Sequence, residues 1–169
     1  FLRGNGPWDQ LVSLQNVEIL ALEADLPVDL GGDITVTPWL VPHRDEYTET
    51  VGYLIATKRA RALFLPDIDK WDRWTRSLTE VLEEVDYAFI DATFFSEAEL
   101  PGRALEEIPH PTISETMSLL ESLSKRQRDK VHFIHLNHSN PALDRKSPER
   151  GSITAAGMNV AEEGGTYRL

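Results

Sequence analysis

Three side chains that commonly bind metal ions stand directly after apolar segments of this 169-residue sequence. They are His43, Asp67 and His135, and the segments before them have the composition of strands: 34–42, 62–66 and 131–134. Imidazole and carboxylate groups at the tips of neighbouring strands suit a divalent cation, because a rigid sheet fixes the ligands while the adjoining loops admit substrate. The pattern predicts part of a metal site, and cations in such a site can lower the pKa of water enough to supply hydroxide near neutral pH.

The composition is that of an ordinary folded domain. The 169 residues fall in the range of one domain, and 41% of them are hydrophobic. The formal net charge of -11 argues against a nucleic-acid partner, because proteins that bind nucleic acid concentrate Lys and Arg on one face. The compact basic cluster 58–61 falls where a hairpin turn is expected, so we interpret it as a solvated turn.

The sequence contains no cysteine and no long apolar run. Disulfides and thiolate ligands are therefore excluded from it, and His, Asp and Glu are the strong metal ligands that remain. No apolar run approaches the roughly 20 residues that span a bilayer, and nothing resembles the charged start and apolar core of a signal peptide. These features predict a cytoplasmic setting without a membrane partner.

The first half of the chain reads as strands followed by a helix. Segments with the apolar and β-branched composition of strands are 17–23, 34–40, 50–56 and 62–65. We expect the first two to be joined by a turn at Gly31-Gly32, and the last two to form a hairpin around the basic turn. From 68 to 85 the apolar residues recur at three- and four-residue steps, which predicts one helix with Trp71 and Trp74 in its core-facing surface.

The second half alternates strands and helices. We predict strands at 87–91 and 131–135, and helices at 112–123 and from Ser147-Pro148 to Gly157. The first of these helices has a capping box formed by Thr112 and Glu115. A long loop, 94–111, connects the strand 87–91 to the helix 112–123, and we expect it to line a pocket. A terminal hairpin is predicted at Gly164-Gly165. Strands followed by alternating strands and helices indicate an α/β protein with helices outside.

Three motifs carry a family resemblance: Val-Pro-His-Arg-Asp-Glu-Tyr at 41–47, Leu-Pro-Asp-Ile-Asp-Lys-Trp at 65–71 and His-Leu-Asn-His-Ser-Asn-Pro at 135–141. Together they resemble the metallo-β-lactamase superfamily, in particular its ribonuclease Z-like branch, and more closely the family of pyrroloquinoline-quinone biosynthesis protein B. The resemblance runs over nearly the whole chain. It implies an α/β fold that is part of a four-layer αββα sandwich, with mixed sheets, outer helices and one or two metal ions at one edge.

The resemblance also implies roles for the three ligand candidates. By that likeness His43 is a ligand of one ion, Asp67 bridges two ions and also serves catalysis, and His135 is a ligand of the other ion. A carboxylate suits bridging because both oxygens keep lone pairs, whereas a neutral imidazole offers one nitrogen. Zinc is the expected ion, with manganese and iron as alternatives, since geometry rather than affinity decides between them. The implied activity is a metal-dependent hydrolase with metal-bound hydroxide as nucleophile.

Further candidates surround these ligands. His110 is implied to be a catalytic proton donor or an oxyanion contact, and its alternative is a loop residue ordered between two prolines. Asp91, His138 and Asp69 are candidates for contacts with the ligands or with substrate. Asp69 has a second interpretation as the cap of the following helix. We leave His132 out of the site and expect it to face a helix, because it lies inside an apolar strand.

One motif of the family is absent. The His-x-His-x-Asp-His run that follows an early strand in the family has no counterpart here, and the chain begins with Phe1 rather than Met. The close pairs His132/His135 and His135/His138 lie on or after a late strand and cannot replace that run. We therefore interpret residues 1–169 as the C-terminal portion of a single metallo-β-lactamase-fold domain, which supplies part of the site.

Alternatives to this hydrolase stay open. One is a ribonuclease-like phosphodiesterase of the same fold, against which the acidic balance counts. Another is a catalytically inactive binding or carrier module. An enzyme that catalyses an oxidative step instead of hydrolysis is also left open by the sequence. The substrate we expect is a small molecule or a peptide-derived compound, and homo-oligomer formation is left open.

Overall fold

The strands form one sheet whose order follows the sequence. The computed structural model describes residues 2–46, 48–100, 102 and 108–169. In these ranges a seven-stranded sheet has the order β1 (Val28–Gly31), β2 (Ile34–Val41), β3 (Thr50–Ala56), β4 (Arg61–Leu65), β5 (Tyr87–Asp91), β6 (Val131–Ile134) and β7 (Asn159–Val160). The predicted strands that correspond to β2 to β6 are confirmed within one residue at each end.

Pairing changes from antiparallel to parallel at β4. Strands β1 to β4 pair antiparallel, whereas β4 to β7 pair parallel. Since β2 and β4 both run opposite to β3, strand β2 points in the same direction as β4, β5 and β6. The carboxyl ends of these four strands therefore lie at one end of the sheet. This end receives His43, Asp67, Asp91 and His135.

Helices α2, α3 and α5 cover one face of the sheet. The helices of the described residues are α1 (Trp8–Ser13), α2 (Leu78–Glu84), α3 (Ile113–Leu119), α4 (Lys125–Arg128) and α5 (Pro148–Ala155), with 3-10 turns at Leu2–Gly4, Trp71–Arg73, Glu97–Glu99 and Pro141–Leu143. The buried side chains of α2, α3 and α5 share one core with Leu63, Ile90 and Phe133 of the strands. None of these helices has the length and apolarity needed to cross a bilayer. The predicted α/β class, with a mixed sheet and outer helices, is confirmed.

The predicted strand at 17–23 is wrong. The structure leaves this segment irregular, with Leu20 and Leu22 exposed. Strand β2 pairs instead with β1, across the glycines at 31 and 32, both of which have positive φ. Apolar composition does not make a strand where no neighbouring strand takes up its backbone hydrogen bonds, because strand propensity depends on the packing of neighbours.

The predicted terminal hairpin is also wrong. The described residues after β7 form a turn but no strand pair, and Tyr167 places its ring against Phe89, with centroids 4.7 Å apart, and against His132, with centroids 4.8 Å apart. Val131 and Phe133 lie in the core, so the alternation of a strand directs His132 to the opposite face. His132 therefore does not face a helix, and Tyr167 packs on the sheet face that carries Phe89 and His132.

The single helix predicted over 68–85 is divided into two. A 3-10 turn at Trp71–Arg73 is followed by an extended Trp74, and α2 begins after Ser77, whose hydroxyl accepts the Glu80 N–H. The indole of Trp71 donates to Thr116 Oγ1 at 2.9 Å, and that of Trp74 donates to the Leu40 carbonyl at 3.1 Å. These bonds to other elements fix the backbone where a regular helix would continue. Core packing of both tryptophans is confirmed.

The two ends of the loop predicted at 94–111 lie next to each other and are joined by backbone hydrogen bonds. The N–H groups of Ile113 and Ser114 donate to the carbonyls of Phe94 and Phe95, at 2.9 and 3.0 Å. Its residues 101 and 103–107 lie outside the described residues. The closed ends bring His110 back to the carboxyl end of β5, where the predicted ligands gather.

The capping box of α3 is confirmed and gives a test of stability. Thr112 Oγ1 accepts the Glu115 N–H at 3.1 Å, and Glu115 Oε2 accepts the Thr112 N–H at 2.7 Å. We expect Thr112→Ala to lower the free energy of unfolding by about 1 kcal/mol, because the partly buried Glu115 N–H loses its acceptor. Urea denaturation at neutral pH measures this change. The control is Ser118→Ala on the exposed side of α3, expected within about 0.5 kcal/mol of the parent. Equal stabilities for the two variants would contradict the prediction.

Candidate metal centre

Titratable side chains converge at the carboxyl end of the sheet. Asp67, Asp91, His110 and His135 each offer one ligand atom, and these atoms lie within 4.8 Å of one another. His43 joins them through Asp67, with 3.2 Å between Nε2 and Oδ1. The shared direction of β2, β4, β5 and β6 brings four of the five together, and the loop before α3 delivers the fifth. The structure thus brings two predicted ligands, Asp67 and His135, together with His110, and it places the third, His43, beside Asp67.

Asp91 anchors this cluster from beneath. Its side chain is fully buried, and its carboxylate accepts the N–H groups of Ile68 at 3.2 Å and of Thr93 at 2.9 Å. The Thr93 hydroxyl donates to Oδ1 at 2.7 Å, and His110 Nδ1 lies 2.7 Å from Oδ2. A buried carboxylate with this many donors is held in one orientation. Asp91 therefore fixes the ends of β4 and β5 and the ring of His110 relative to one another.

The hydrogen-bond partners of His110 and His135 determine which ring nitrogen of each carries the hydrogen. An ionised carboxylate only accepts, so His110 Nδ1 carries the hydrogen in its 2.7 Å contact with Asp91. The Thr93 hydroxyl uses its one hydrogen on Asp91, so it accepts from His135 Nδ1 at 3.0 Å. Both rings then keep the lone pair of the neutral form on Nε2. In His135 this nitrogen is available to a cation, and in His110 it is available for proton exchange.

The contacts within the cluster shift the pKa values of Asp91 and His135, and both shifts favour the charged form of the side chain. Burial acts to raise the pKa of Asp91, but the contacts with His110 and His135 outweigh it and hold this pKa below its ordinary value. The Asp91 carboxylate, 3.7 Å from His135 Nδ1, raises the pKa of that imidazole against the opposing effect of burial. Asp91 thus remains anionic beneath the site, and His135 holds a proton more firmly than an isolated histidine.

Two buried polar atoms of the site lack a hydrogen-bond partner among the described residues. They are His43 Nδ1 and Asp67 Oδ1, the latter close to His43 Nε2 but without hydrogen-bond geometry. Buried polar atoms without partners are rare in folded proteins and cost on the order of 1–3 kcal/mol each. A divalent cation accepts electron pairs from imidazole nitrogen and carboxylate oxygen. The residue types present therefore fit a metal ion, and Asp67 Oδ1, which lacks a partner, belongs to a residue of the cluster that could hold it.

His135 has an unusual backbone conformation. Its φ is 61°, in the left-handed region, directly after β6 ends at Ile134. Such a conformation costs on the order of 1 kcal/mol for a residue other than glycine. Strain of this kind persists where the surroundings determine it, and it clusters at functional sites.

The remaining candidates lie outside the four-residue cluster. The carboxylate of Asp69 accepts the Lys70 N–H at 2.7 Å and pairs with Arg73 at 2.5 Å. The residue that precedes the 3-10 turn is Lys70, so the prediction that Asp69 caps a helix is wrong in position. His138 is exposed. Roles for Asp69 and His138 toward substrate stay predictions.

Sequence reasoning missed Thr93 as a member of the site. Its hydroxyl lies within 3.2 Å of Asp91 Oδ1, His110 Nδ1 and His135 Nδ1. A threonine two residues after a buried aspartate is a common turn pattern, in which the side-chain oxygen accepts a nearby N–H. The sequence signal is therefore weak, and the role of Thr93 depends on contacts with residues 17 and 42 positions further along the chain.

Curated proteins of similar sequence match most of the chain. Coenzyme PQQ synthesis protein B of Gluconobacter oxydans (strain 621H) is 29% identical over 126 residues, which covers 72% of this chain and 40% of that protein. The protein of the same name from Pseudomonas putida (strain GB-1) is 26% identical over 167 residues, covering 89% of this chain and 54% of that protein. The chain thus spans about half the length of the curated relatives it matches.

Solved structures share its fold. Zn(2+)-bound PqqB from Methylobacterium extorquens superposes with a TM-score of 0.69 at 22% identity, over 88% of this chain and 51% of that one. The metallo-beta-lactamase fold protein YhfI from Bacillus subtilis superposes with a TM-score of 0.59 at 14% identity, over 90% and 58%. The family model of the beta-lactamase superfamily domain matches residues 2–136. Since this match covers well over half of the sequence, the chain belongs to the beta-lactamase superfamily.

Proposed function

We propose that the chain is the metal-binding part of a metal-dependent hydrolase of the metallo-β-lactamase fold, similar to coenzyme PQQ synthesis protein B. One observation carries this proposal: metal-binding types of atoms from Asp67, Asp91, His110 and His135 lie within 4.8 Å of one another, and a fifth group, His43, has a buried nitrogen without a hydrogen-bond partner among the described residues. Membership in the superfamily and similarity to a Zn(2+)-bound structure support it.

We assign His43, Asp67 and His135 as the metal ligands. They present imidazole nitrogen and carboxylate oxygen, which suit zinc, and also manganese or iron. Asp67 has two oxygens with lone pairs, lies 3.2 Å from His43 Nε2 and shares the cluster with His135, so it is the bridging candidate if two ions bind. A bound cation of this class supplies Lewis-acid activation of water and of a substrate oxygen.

His110 and Asp91 form the proton-transfer pair of the proposal. Asp91 accepts the Nδ1 hydrogen of His110, and this contact fixes the ring and its tautomer. The opposite nitrogen, Nε2, has a lone pair in this tautomer, so it first takes up the proton that the attacking water loses and then gives that proton to the departing group of the substrate. The lowered pKa of Asp91 keeps it a carboxylate, so it orients the ring rather than competing for the proton.

We further propose that residues 1–169 act as the C-terminal portion of one metallo-β-lactamase domain. Three ligands leave coordination positions for further donors, since zinc is usually four-coordinate. The matched relatives are about twice as long as the matched segment, which supports additional ligands from another portion of the same domain.

The surface beside the site favours a small substrate. A cleft of about 390 Å³ lies next to the His110 segment, lined by Lys70, Trp71, Asp72, Arg73, Pro111, Glu115 and Leu119. This volume is in the range of small-molecule sites. We propose a small-molecule or peptide-derived substrate, and the net charge of -11 disfavours RNA.

Metal content and turnover together test the proposed function. The protein, expressed from its whole reading frame, is analysed for bound metal and assayed with p-nitrophenyl ester and bis(p-nitrophenyl) phosphate substrates. We expect about one or two zinc ions per chain and hydrolysis that a chelator abolishes and zinc restores. The control His132→Ala should keep both. Near-zero metal content would contradict the proposal and favour an inactive binding module, and turnover of phosphodiester alone would favour the nuclease-like alternative.

The raised pKa of His135 predicts that zinc binding depends on pH. A protonated imidazole cannot ligate, so binding must displace the proton that Asp91 stabilises. We expect zinc affinity to rise about three- to tenfold between pH 6 and pH 7, because the folded pKa lies above the ordinary value. In the metal-free protein the same contact contributes stability that is present below pH 6.5 and lost as pH rises through the raised pKa. Calorimetric titration in two buffers of different ionisation enthalpy measures the released protons. Affinity that does not change with pH would contradict the prediction.

A further inference from the structure

We infer that Lys70 is a positioning residue for His110, and that it holds the His110 segment against the metal ligands through a backbone carbonyl. The Lys70 side chain is 13% exposed, and Nζ donates to the His110 carbonyl oxygen at 2.9 Å. The other partners of Nζ are the two oxygens of Glu115, at 3.1 and 2.9 Å. Three donors thus meet three acceptors, which satisfies this largely buried ammonium.

The segment from Asp67 to Lys70 contacts three other parts of the site. The Ile68 N–H donates to Asp91 Oδ2 at 3.2 Å, and the Asp69 N–H donates to the Pro42 carbonyl at 2.7 Å, next to His43. Lys70 adds the third connection, to His110. The four residues therefore carry one ligand and hydrogen-bond to Asp91, to the residue before His43 and to His110.

The His110 segment depends on an outside donor because of its own sequence. Pro109 and Pro111 have no N–H, so the backbone on either side of His110 offers no hydrogen-bond donor. The carbonyl of His110 is therefore a principal place where another element can hold it, and Lys70 occupies that place. Glu115 connects the pair to α3, because the same carboxylate closes the capping box with Thr112.

The inference deepens the proposed function and rests on it, because His110 acts there as proton donor. Its test therefore needs a readout that does not depend on turnover. Side-chain ¹⁵N spectra of histidine-labelled protein report the tautomer of each ring, and only five histidines need assignment. In the parent protein we expect His110 to show the Nδ1–H tautomer that the contact with Asp91 requires.

The decisive variant is Lys70→Met, which keeps the aliphatic stem and removes all donors. We expect the Nδ1–H population of His110 to fall at least about twofold, while the His132 signal and the zinc content stay at parent values. Lys70→Arg, which keeps a charged donor, should restore the His110 signal. If the proposed hydrolysis is observed, kcat should fall about tenfold with KM unchanged, since a misplaced proton donor affects the reaction and not binding.

Controls separate positioning from general stability. Lys130→Met removes another lysine that donates to a backbone carbonyl, that of Leu82 at 2.6 Å, and it should leave the His110 signal unchanged. If Lys70→Met does not fold, because Glu115 is left unpaired, the double variant Lys70→Met/Glu115→Gln takes its place. A parent-like His110 signal in the folded variant, with only a lower melting temperature, would overturn the inference. That result is independent of whether the protein hydrolyses anything.

Discussion

The Asp67→Asn variant is expected to lose bound metal and to lower hydrolytic kcat/KM by at least about 100-fold, since a catalytic cation contributes several kcal/mol and each 1.4 kcal/mol is tenfold in rate. The substitution keeps the shape of the side chain but removes its charge and one of its two ligand oxygens. Asp67 lies 3.2 Å from His43 Nε2 and 3.4 Å from His110 Nδ1, so its loss affects both sides of the site. Metal analysis and steady-state kinetics measure the two effects.

The matched control for this variant is Asp86→Asn. Asp86 is exposed and precedes β5, at the opposite end of the strand from Asp91. We expect this control to keep parent metal content and rate, because only one contact, with the Arg61 N–H, is altered. Parent-like turnover and metal content in Asp67→Asn would remove Asp67 from the mechanism.

Asp91→Ala is expected to have the largest effect on stability, lowering the free energy of unfolding by about 3–5 kcal/mol. The carboxylate is fully buried and accepts the Ile68 N–H, two donors of Thr93 and the His110 imidazole. Its removal leaves these donors buried without an acceptor. The pKa of Asp91 lies below its ordinary value, so its contribution is present at neutral pH and is lost as pH falls through the folded pKa. The difference in the free energy of unfolding between the variant and the parent should therefore become smaller at acidic pH.

Asp86→Ala is the control for Asp91→Ala, because Asp86 directly precedes the strand that Asp91 ends. Its carboxylate also accepts a backbone N–H, at 2.9 Å, but in an exposed position. Water can replace an exposed acceptor, so we expect a loss within about 1 kcal/mol. Urea denaturation at neutral and acidic pH compares the variants. A loss of similar size for both would show that Asp91 is not the buried anchor of the site.

Much of the frame that holds the site could be predicted from the sequence, because local composition determines it. Four strands end at, or one or two residues before, the four side chains His43, Asp67, Asp91 and His135. The apolar runs that predict those strands are short and bounded by prolines or polar residues. Once β3 is known to pair antiparallel on both sides, strand direction brings the four residues to one end of the sheet. The Thr112 and Glu115 box was predictable for the same reason, since its partners are three residues apart.

The parts that could not be predicted depend on contacts between distant residues. The helix expected over 68–85 divides because the indoles of Trp71 and Trp74 donate to partners 45 and 34 positions away. Thr93 and Lys70 likewise gain their roles from partners remote in sequence. Residues 17–23 have the composition of a strand but no strand beside them among the described residues, and composition cannot show that absence.

Anomalous diffraction at the zinc edge, from crystals of the zinc-loaded protein expressed from its whole reading frame, tests the central claim most directly. We expect an anomalous peak within about 2.2 Å of a carboxylate oxygen of Asp67 and of a ring nitrogen of His43 or His135. A zinc-loaded protein whose anomalous peaks all lie away from these three side chains would contradict it.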